Sequence, residues 1–280
     1  MDKGNKRFKF MKKSREKVKD ALKSRDMVIG TTSKTIGELD AIINSLGEKL
    51  EDWYAIYFPE LKCDTKVKYA RAIVFIDKKN INISPLAKLV GAASADSISK
   101  RALTSLGADL PEKDLQKIKD CANMILELDD LRAKYQQYEN ELADEICPNI
   151  KYLIGSEIAA KLIAHAGSMR RLALMPASTI QVIGAEKALF KHLKNKRINP
   201  PKHGIIFQYA KISASPKAVR GKIARVLANN ICTAAKADAF TKNDISKPLK
   251  EKMDGKIKAI LDEWERKRAK NPELAKENEE

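Results

Sequence analysis

The sequence predicts an all-α protein, in which a long antiparallel coiled coil with an insert at its tip is followed by a basic helical domain with at most a short β-hairpin. Two long stretches repeat apolar residues at steps of three and four, which is the spacing of one helix face. Aromatic residues make up only 6% of the 280 residues, and glycine and proline number 12 and 10. This composition favours helices over sheets. The length and the 44% of hydrophobic residues suit two domains of ordinary size.

The first long helix is expected from about Asp26 to Phe58, because Pro59 ends it. The second begins after Pro111, closes at Pro148 and extends on the order of 50 Å. Two such helices joined by an insert should fold back on each other, although each apolar seam also suits the edge of an ordinary helical bundle. The seam of the first helix contains Ile36, Leu39, Ile42 or Ile43, Leu46, Leu50, Trp53 or Tyr54, and Tyr57.

Four parts are predicted along the chain: a basic lead-in at 1–25, a coiled-coil domain at 26–148 with its tip insert at 62–111, a second domain at 149–265, and a charged tail at 266–280. The lead-in is either frayed or a backward extension of the next helix, and disorder is expected after Pro272. Inside the insert, the apolar run from Ala70 to Ile76 lies at the far end of the coiled coil. We expect this run to be an exposed patch through which two copies of the chain associate.

The charge of the chain is concentrated in the second domain. The formal net charge is +17, and residues 151–250 hold 19 Lys and Arg against 4 Asp and Glu. Residues 1–25 hold 11 basic against 3 acidic residues, whereas residues 26–150 hold 16 against 21. This asymmetry predicts a polyanionic partner for the basic domain.

Within that domain, the stretch from Met175 to Arg197 combines a compact proline turn with a strong helix-forming segment. Lys187, Lys191 and Lys194 are spaced by four and three residues, so they share one helix face that suits phosphate groups. Leu189 and Phe190 are expected on another side, where they would anchor the helix to the domain. A merely solvated lysine face is the alternative. Further on, Gly204–Tyr209 favours a short strand.

The sequence contains no recognisable catalytic, metal or cofactor motif. The four cysteines are scattered without a CxxC pair, which predicts buried thiols rather than a disulfide framework or a zinc site. There is no glycine-rich phosphate loop, and no apolar run is long enough to span a membrane. His165 lies among alanines and is expected to be half-buried, and the spacing of His165, His192 and His203 does not suit a metal site. We therefore expect no enzyme, no metal and no cofactor.

Three blocks in this domain resemble the Nop domain in the same order and spacing. They are GSMRRLALMPASTIQVIGAEKALFKHLK (167–194), PPKHGIIFQYAKI (200–212) and SPKAVRGKIARVLANNICTAAKADAF (215–240). The preceding RDMVIGTTSKTIGELDAIINSLGEKLEDWYAIYFPEL (25–61) is similar to the first coiled-coil helix of the same family. The resemblance covers most of residues 25–265, and it is strongest to the archaeal scaffolds of box C/D ribonucleoproteins.

This resemblance implies a non-enzymatic scaffold for guided ribose 2′-O-methylation of rRNA or tRNA. Such a scaffold clamps a kink-turn guide RNA that already carries a small ribosomal-like kink-turn-binding protein. By the motif match, the residues at or beside this composite interface are Ala177, Ser178, Gln181, Glu186, Lys187 and Lys191, and the neighbouring Lys194 and Arg197 are further candidates for RNA binding. The match adds Lys202, His203 and Gln208 as contacts to the RNA or the bound protein, and Arg220, Lys222 and Arg225 along the phosphates of the stem.

The resemblance also implies self-association through the coiled coil. Members of the family carry a domain before the coiled coil that holds the methyltransferase fibrillarin, but only about 25 residues precede it here. Recruitment of fibrillarin by this chain is therefore not expected. The setting would be the cytoplasm of an archaeon, or the nucleolus if the source is eukaryotic. A pure coiled-coil adaptor and a spliceosomal-type Nop protein are the alternative functions.

Overall fold

A computed structural model describes residues 3–23, 25–75, 87 and 91–270 of the chain. Its first helices are α1 (Lys3–Lys23), α2 (Arg25–Tyr54), α3 (Lys66–Phe75), α4 (Ala92–Leu103) and α5 (Glu112–Ile146). They are followed by α6 (Pro148–Ile154), α7 (Ser156–Ala166), α8 (Met169–Leu174), α9 (Ala177–Val182), α10 (Glu186–Lys194), a 3₁₀ helix (Ile205–Gln208), α11 (Ala210–Ser213), α12 (Lys217–Lys236), a π-helical turn (Ala237–Thr241) and α13 (Ser246–Lys270). No strand occurs in these residues, and the predicted all-α class is confirmed.

The expected strand at Gly204–Tyr209 is wrong, because this segment forms the 3₁₀ helix. Its amides bond three residues back, from Phe207 to Gly204 (3.0 Å) and from Tyr209 to Ile206 (3.1 Å), so they are not available to a sheet. The lead-in is helical over Lys3–Lys23, and its expected continuity with the next helix stays a prediction, because residue 24 lies outside the described residues. The predicted disorder after Pro272 lies outside the described residues.

The chain divides into two compact units. The core unit comprises Met1–Lys34 and Tyr138–Glu280, and the hairpin unit comprises Thr35–Gln137. These two units divide the chain at other residues than the domain boundaries predicted from the sequence. The predicted boundaries therefore stay a prediction.

In the hairpin unit, α2 and α5 run antiparallel. Asp40 on α2 bonds to Arg132 near the middle of α5, at 2.9 Å between Oδ1 and Nη1. Tyr54, further along α2, shares an apolar cluster with Ile118, which lies earlier in α5. Because later positions of one helix meet earlier positions of the other, the two helices form the predicted antiparallel pair.

The apolar run of the tip insert is buried, which corrects the expectation that it is an exposed patch. Tyr69, Ala70 and Ile73 are at most 3% exposed, and the ring of Tyr69 packs edge-on against that of Tyr54 at 6.2 Å. These side chains share the inward face of α3, so they form the core of the hairpin unit itself. Phe75 points outward and is 57% exposed, and Ile76 lies outside the described residues.

In the core unit, α12 is the central helix. Its buried positions Val219, Ile223, Leu227 and Ile231 recur every four residues, so they line one continuous stripe. The stripe belongs to an apolar cluster that also includes buried residues of α6 to α9 and of α13. His165 on α7 is exposed rather than half-buried as expected. All four cysteines are free, and of these only Cys147 is fully buried.

A buried carboxylate joins three segments of this unit. Asp238, in the π-helical turn, accepts hydrogen bonds from the backbone amides of Asn149 and Ile150, both at 3.1 Å, and from the Asn149 side chain at 2.6 Å. The same asparagine side chain donates to the carbonyl of Asn243 and accepts from the amide of Ile245. Asp238 therefore satisfies the free amides at the start of α6 from a distant part of the sequence, as a capping residue does locally.

We predict that Asp238→Ala lowers the free energy of unfolding by about 2–4 kcal/mol, because it leaves buried amide donors without acceptors. Urea denaturation followed by circular dichroism measures this change. Ala in place of Glu251, an exposed carboxylate in the same unit, serves as the control and should shift stability by less than about 0.5 kcal/mol. Equal losses in the two variants would contradict the bridging role of Asp238.

A second buried carboxylate, Glu139 on α5, predicts a pH-dependent stability. It is 3% exposed, and burial raises its pKa from 4.5 to about 7 against the opposing hydrogen bond from Ser33, with Glu157 nearby adding to the rise. Between those pH values the folded chain holds a proton that the unfolded chain has lost. Stability should therefore fall as pH rises from about 4.5 to about 7.

We predict that Glu139→Gln stabilises the protein at pH 8 by about 1–3 kcal/mol and has little effect at pH 4, because it removes the cost of a buried charge. Urea unfolding at several pH values checks this. A Gln substitution at Glu127, which is exposed on the same helix, should leave the pH profile unchanged. A Glu139→Gln profile parallel to that of the unmodified chain would contradict the prediction.

Candidate nucleic-acid interface

The surface predicted from the sequence begins at the turn between α9 and α10. Ile180 is fully buried and fixes α9 to the core, while Ala177 is half-buried and Ser178 exposed. Gly184 turns the chain with a φ of +85°, a conformation that favours glycine. Its amide donates to the carboxylate of Glu186 at 2.7 Å, and this bond holds the pKa of Glu186 below its ordinary value. Glu186 therefore stabilises the turn that starts α10.

Helix α10 lies on the surface, and none of its side chains is buried. Lys187, Lys191 and Lys194 are all exposed. The expectation that Phe190 anchors the helix is wrong, because this ring is 67% exposed, as is more than half of Leu193. The helix thus presents lysines beside two exposed apolar side chains.

Two contacts hold α10 where it is. Leu189 is half-buried, and the ring nitrogen Nδ1 of His192 hydrogen-bonds to the carbonyl of Ile198 in the loop that follows. That loop also contains the exposed Arg197. His192 therefore has a role within the protein, in addition to any contact that it makes with a partner.

The loop from Pro200 to Gly204 is attached to α9 through the backbone. Gly204 donates to the carbonyl of Gln181 at 2.9 Å, and Ile205 donates to that of Ile183 at 2.7 Å. The side-chain amide of Gln181 in turn donates to the carbonyl of Lys202 at 2.7 Å. A methyl group on Gly204 would lie 1.9 Å from the Ile183 carbonyl oxygen, so no larger residue fits here.

His203, Phe207 and Arg220 form a layered stack beside this loop. The rings of His203 and Phe207 are 4.4 Å apart and nearly parallel, and the guanidinium of Arg220 lies 5.4 Å from the Phe207 ring. Arg220 also donates to the carbonyls of Ser215 (2.8 Å) and Ser213 (3.1 Å). Its guanidinium is thereby committed to contacts inside the protein.

Burial, followed by the charges of Arg220 and Lys202, lowers the pKa of His203 below 6.5. The ring is therefore neutral at pH 7, with one N–H donor and one nitrogen acceptor. A neutral, stacked imidazole can accept a hydrogen bond from a ribose hydroxyl or donate one to a phosphate.

A cavity of about 320 Å³ opens between the loop and α12. Lys222 and Arg225 are exposed and three positions apart on α12, so they share a side of this helix at the cavity wall. Lys202 supplies a third cation from the loop. The residues that line the cavity are Gln181, Pro200, Pro201, Lys202, Ala218, Gly221, Lys222 and Arg225. Three cations around one concave space suit a phosphate backbone.

The structure thus brings four of the predicted residues together: Gln181, Lys202, Lys222 and Arg225. Gln208 lies apart from this cavity lining and accepts a hydrogen bond from Lys161 at 2.9 Å. Sequence reasoning missed Pro200, Pro201 and Gly221 as wall residues. The proline pair in the second matching block was the available signal for the first two.

Over residues 3–23, 25–75, 87 and 91–270, no three His, Cys, Asp or Glu side chains are grouped to hold a metal ion. None of the helices described has a stretch long and apolar enough to cross a bilayer.

We predict that Gly204→Ala detaches the loop from α9, because the added methyl group collides with a backbone carbonyl. The amides of Gly204 and Ile205 lose their acceptors, so the 200–208 segment should exchange hydrogen for deuterium at least about tenfold faster, while most of the core unit keeps its protection. Mass spectrometry of peptic fragments measures this exchange.

Gly221→Ala is the matched control, because a methyl group there meets only ordinary contacts with Lys202, at 3.7 Å or more. It should leave exchange in the loop unchanged and, inside a helix, should slightly raise stability. Equal exchange in the two variants would mean that the backbone bonds to α9 do not hold the loop.

Comparison with known proteins identifies the family. The profile of the Nop family, described as "snoRNA binding domain, fibrillarin", matches residues 35–259. A NOP5 family protein of Methanocaldococcus jannaschii, itself uncharacterized, is 40% identical over 246 residues, which are 87% of this chain and 59% of that protein. Nucleolar protein 56 of Schizosaccharomyces pombe is 36% identical over 236 residues, with 81% of this chain and 47% of that protein covered.

The human nucleolar protein 56 is 34% identical over 254 residues, covering 87% of this chain and 43% of that protein. The chain thus spans about half the length of these relatives. Among solved structures, the crystal structure of a fibrillarin/Nop5p complex matches with a TM-score of 0.51 and 28% identity, over 92% of this chain and 80% of that one. The chain belongs to the Nop family.

Proposed function

We propose that this chain is a scaffold of a box C/D guide ribonucleoprotein for ribose 2′-O-methylation of rRNA or tRNA. In this role it binds a kink-turn guide RNA together with a small ribosomal-like protein already seated on that RNA. The observation that carries the proposal is the cavity of the core unit, where Lys202, Lys222 and Arg225 converge. Membership of a family described as snoRNA-binding supports the choice of RNA as the polyanion.

The cavity suits the RNA side of the complex. Folded RNA is recognised mainly through its shape, its phosphates and its 2′-hydroxyl groups. The cations at the cavity wall meet the phosphates, and the neutral imidazole of His203 offers a donor and an acceptor for sugar or phosphate oxygens. Arg220 contributes by holding Phe207, and with it His203, in the stack.

Helix α10 and the start of α9 suit the protein side. Phe190 and Leu193 are exposed apolar side chains, which give binding energy only when a partner covers them. Lys187, Lys191 and Lys194 share the same short helix, so the mixed surface meets a partner protein and the adjacent RNA together. Neither the small ribosomal-like protein nor the RNA alone supplies both the apolar and the ionic contacts.

We further propose self-association through the hairpin unit. The run that was expected to mediate it is buried, but Ile56, Phe75 and Leu106 of the same unit are exposed, Leu106 by 93%. Fibrillarin is the partner of Nop5p in the solved complex, and the expectation that residues 1–280 do not recruit it stays a prediction. Residues 3–23 form a single helix, and none of the side chains whose exposure is described there is buried.

For the cellular setting, we propose the cytoplasm of an archaeon, on the 40% identity to the Methanocaldococcus protein. In a eukaryote the same scaffold would be nucleolar, as the names of the more distant relatives indicate.

We predict that the chain binds kink-turn RNA carrying its ribosomal-like protein at least about tenfold more tightly than the naked RNA, since binding then uses both surfaces. Fluorescence anisotropy over a range of salt concentrations measures both affinities. Changing Lys222 and Arg225 to Gln should lower the slope of log affinity against log salt by about 2, because each phosphate contact adds close to one unit. Changing Phe190 and Leu193 to Ala should weaken binding to the complex only.

Gln at Lys252 and Lys256, two exposed lysines of α13, is the matched charge control and should leave the slope unchanged. Equal affinity for naked and protein-bound RNA would contradict the composite surface and favour a coiled-coil adaptor. A normal slope in the Lys222→Gln, Arg225→Gln variant would mean that the cavity does not face phosphates.

A further inference from the structure

Helix α1 is a basic helix that the proposed scaffold role leaves without a function. Residues 3–23 contain ten Lys and Arg against two Asp and Glu, a density unmatched elsewhere in the sequence. Basic N-terminal segments of this kind bind nucleic acid through release of counterions from the phosphates.

Aromatic rings are interleaved with these charges. In the run Arg7-Phe8-Lys9-Phe10, the two phenylalanines are 69% and 73% exposed, and the two cations beside them are exposed as well. Every side chain from 7 to 19 whose exposure is described is exposed, except the half-buried Ser14. The rings are therefore available to a partner from outside the chain.

The placement of the rings argues against a membrane as that partner. Phe8 and Phe10 are two positions apart, so they project roughly 200° apart around the helix axis. A helix that lies in a bilayer surface needs its apolar residues on one face. Phe8, Met11 and Val18 do share a stripe, but the exposed Arg15 lies on that stripe between the last two.

Unpaired RNA is the partner that fits both features. Its phosphates meet cations all round the helix, and its unstacked bases can cover rings that point in different directions. We propose that α1 is a second RNA-binding element of this chain, one that takes single-stranded RNA by stacking bases on Phe8 and Phe10. This element is separate from the cavity between the 200–204 loop and α12, and it does not depend on kink-turn binding.

The test uses the full chain and a fluorescent oligouridine of about fifteen nucleotides, which has no kink-turn and no duplex. Phe8→Ala together with Phe10→Ala should weaken its binding about tenfold, the loss expected from one or two stacked bases. Binding to a blunt RNA duplex of similar length should change less than about twofold, because paired bases cannot stack on the rings. Alanine favours helix more than phenylalanine does, so α1 should stay helical, and circular dichroism checks this.

Two further variants separate the contributions. Changing Arg7, Lys9 and Lys12 to Gln should weaken binding to both the oligouridine and the duplex. It should also lower the slope of log affinity against log salt for the oligouridine by about 2, because each phosphate contact on a single strand adds about 0.7. Tyr152→Ala removes another exposed aromatic ring of the core unit and should change neither affinity.

The same oligouridine measurement in the Lys222→Gln, Arg225→Gln variant distinguishes the α1 site from the cavity. There the loss caused by the Phe8→Ala, Phe10→Ala pair should persist, even if the chain proves not to bind a kink-turn. Oligouridine affinity that is unchanged by the two alanines would overturn the proposal. So would binding of anionic phosphatidylserine vesicles that depends on Phe8 and Phe10 while RNA affinity stays the same.

Discussion

The arrangement of the core unit depends on one buried carboxylate. Asp238 lies directly after α12 and bonds to the first amides of α6, while Asn149, its partner, bonds to the segment that leads into α13. Burial raises the pKa of Asp238, against the hydrogen bonds that favour its charged form. Burial disfavours the charge of Asp238, and the hydrogen bonds to it offset this. These bonds fix the direction of α6, α12 and α13 where the three helices meet.

The bonds of Asp238 also position the candidate interface, because α12 carries part of it. One side of this helix is locked into the core by Ile223 and Leu227, and the other side carries Lys222 and Arg225. The loop with Lys202 is set independently, by backbone hydrogen bonds to α9, a helix that packs on α12. The cations therefore converge because their backbones are fixed, and not through contacts with one another. Mutual repulsion among them is tolerated because the scaffold holds them in place.

Periodicity was sufficient to predict the long helices, because α2 and α5 bury one stripe each and the stripe is visible in the sequence. Periodicity alone did not show which side of a short helix faces the core. Phe190 was expected to anchor α10 but is exposed, and the run after Tyr69 was expected to be exposed but is buried. For the run, the deciding contact comes from another helix, because the ring of Tyr69 packs against that of Tyr54 in α2. Residue propensity likewise did not predict the 3₁₀ helix at Gly204–Tyr209.

A motif match also cannot distinguish a residue that binds from one that positions it. The matching blocks contain Gln181, Glu186 and Arg220 as well as Lys202 and Lys222. However, the side chains of these first three residues hydrogen-bond to backbone atoms of this chain. Replacing one of them would displace a loop or a turn, and binding would fall without the loss of any direct contact. The salt dependence separates the two classes, because only a residue that meets a phosphate changes the number of counterions released. The positioning residues determine where the cations lie, and the binding residues determine how strongly RNA is held.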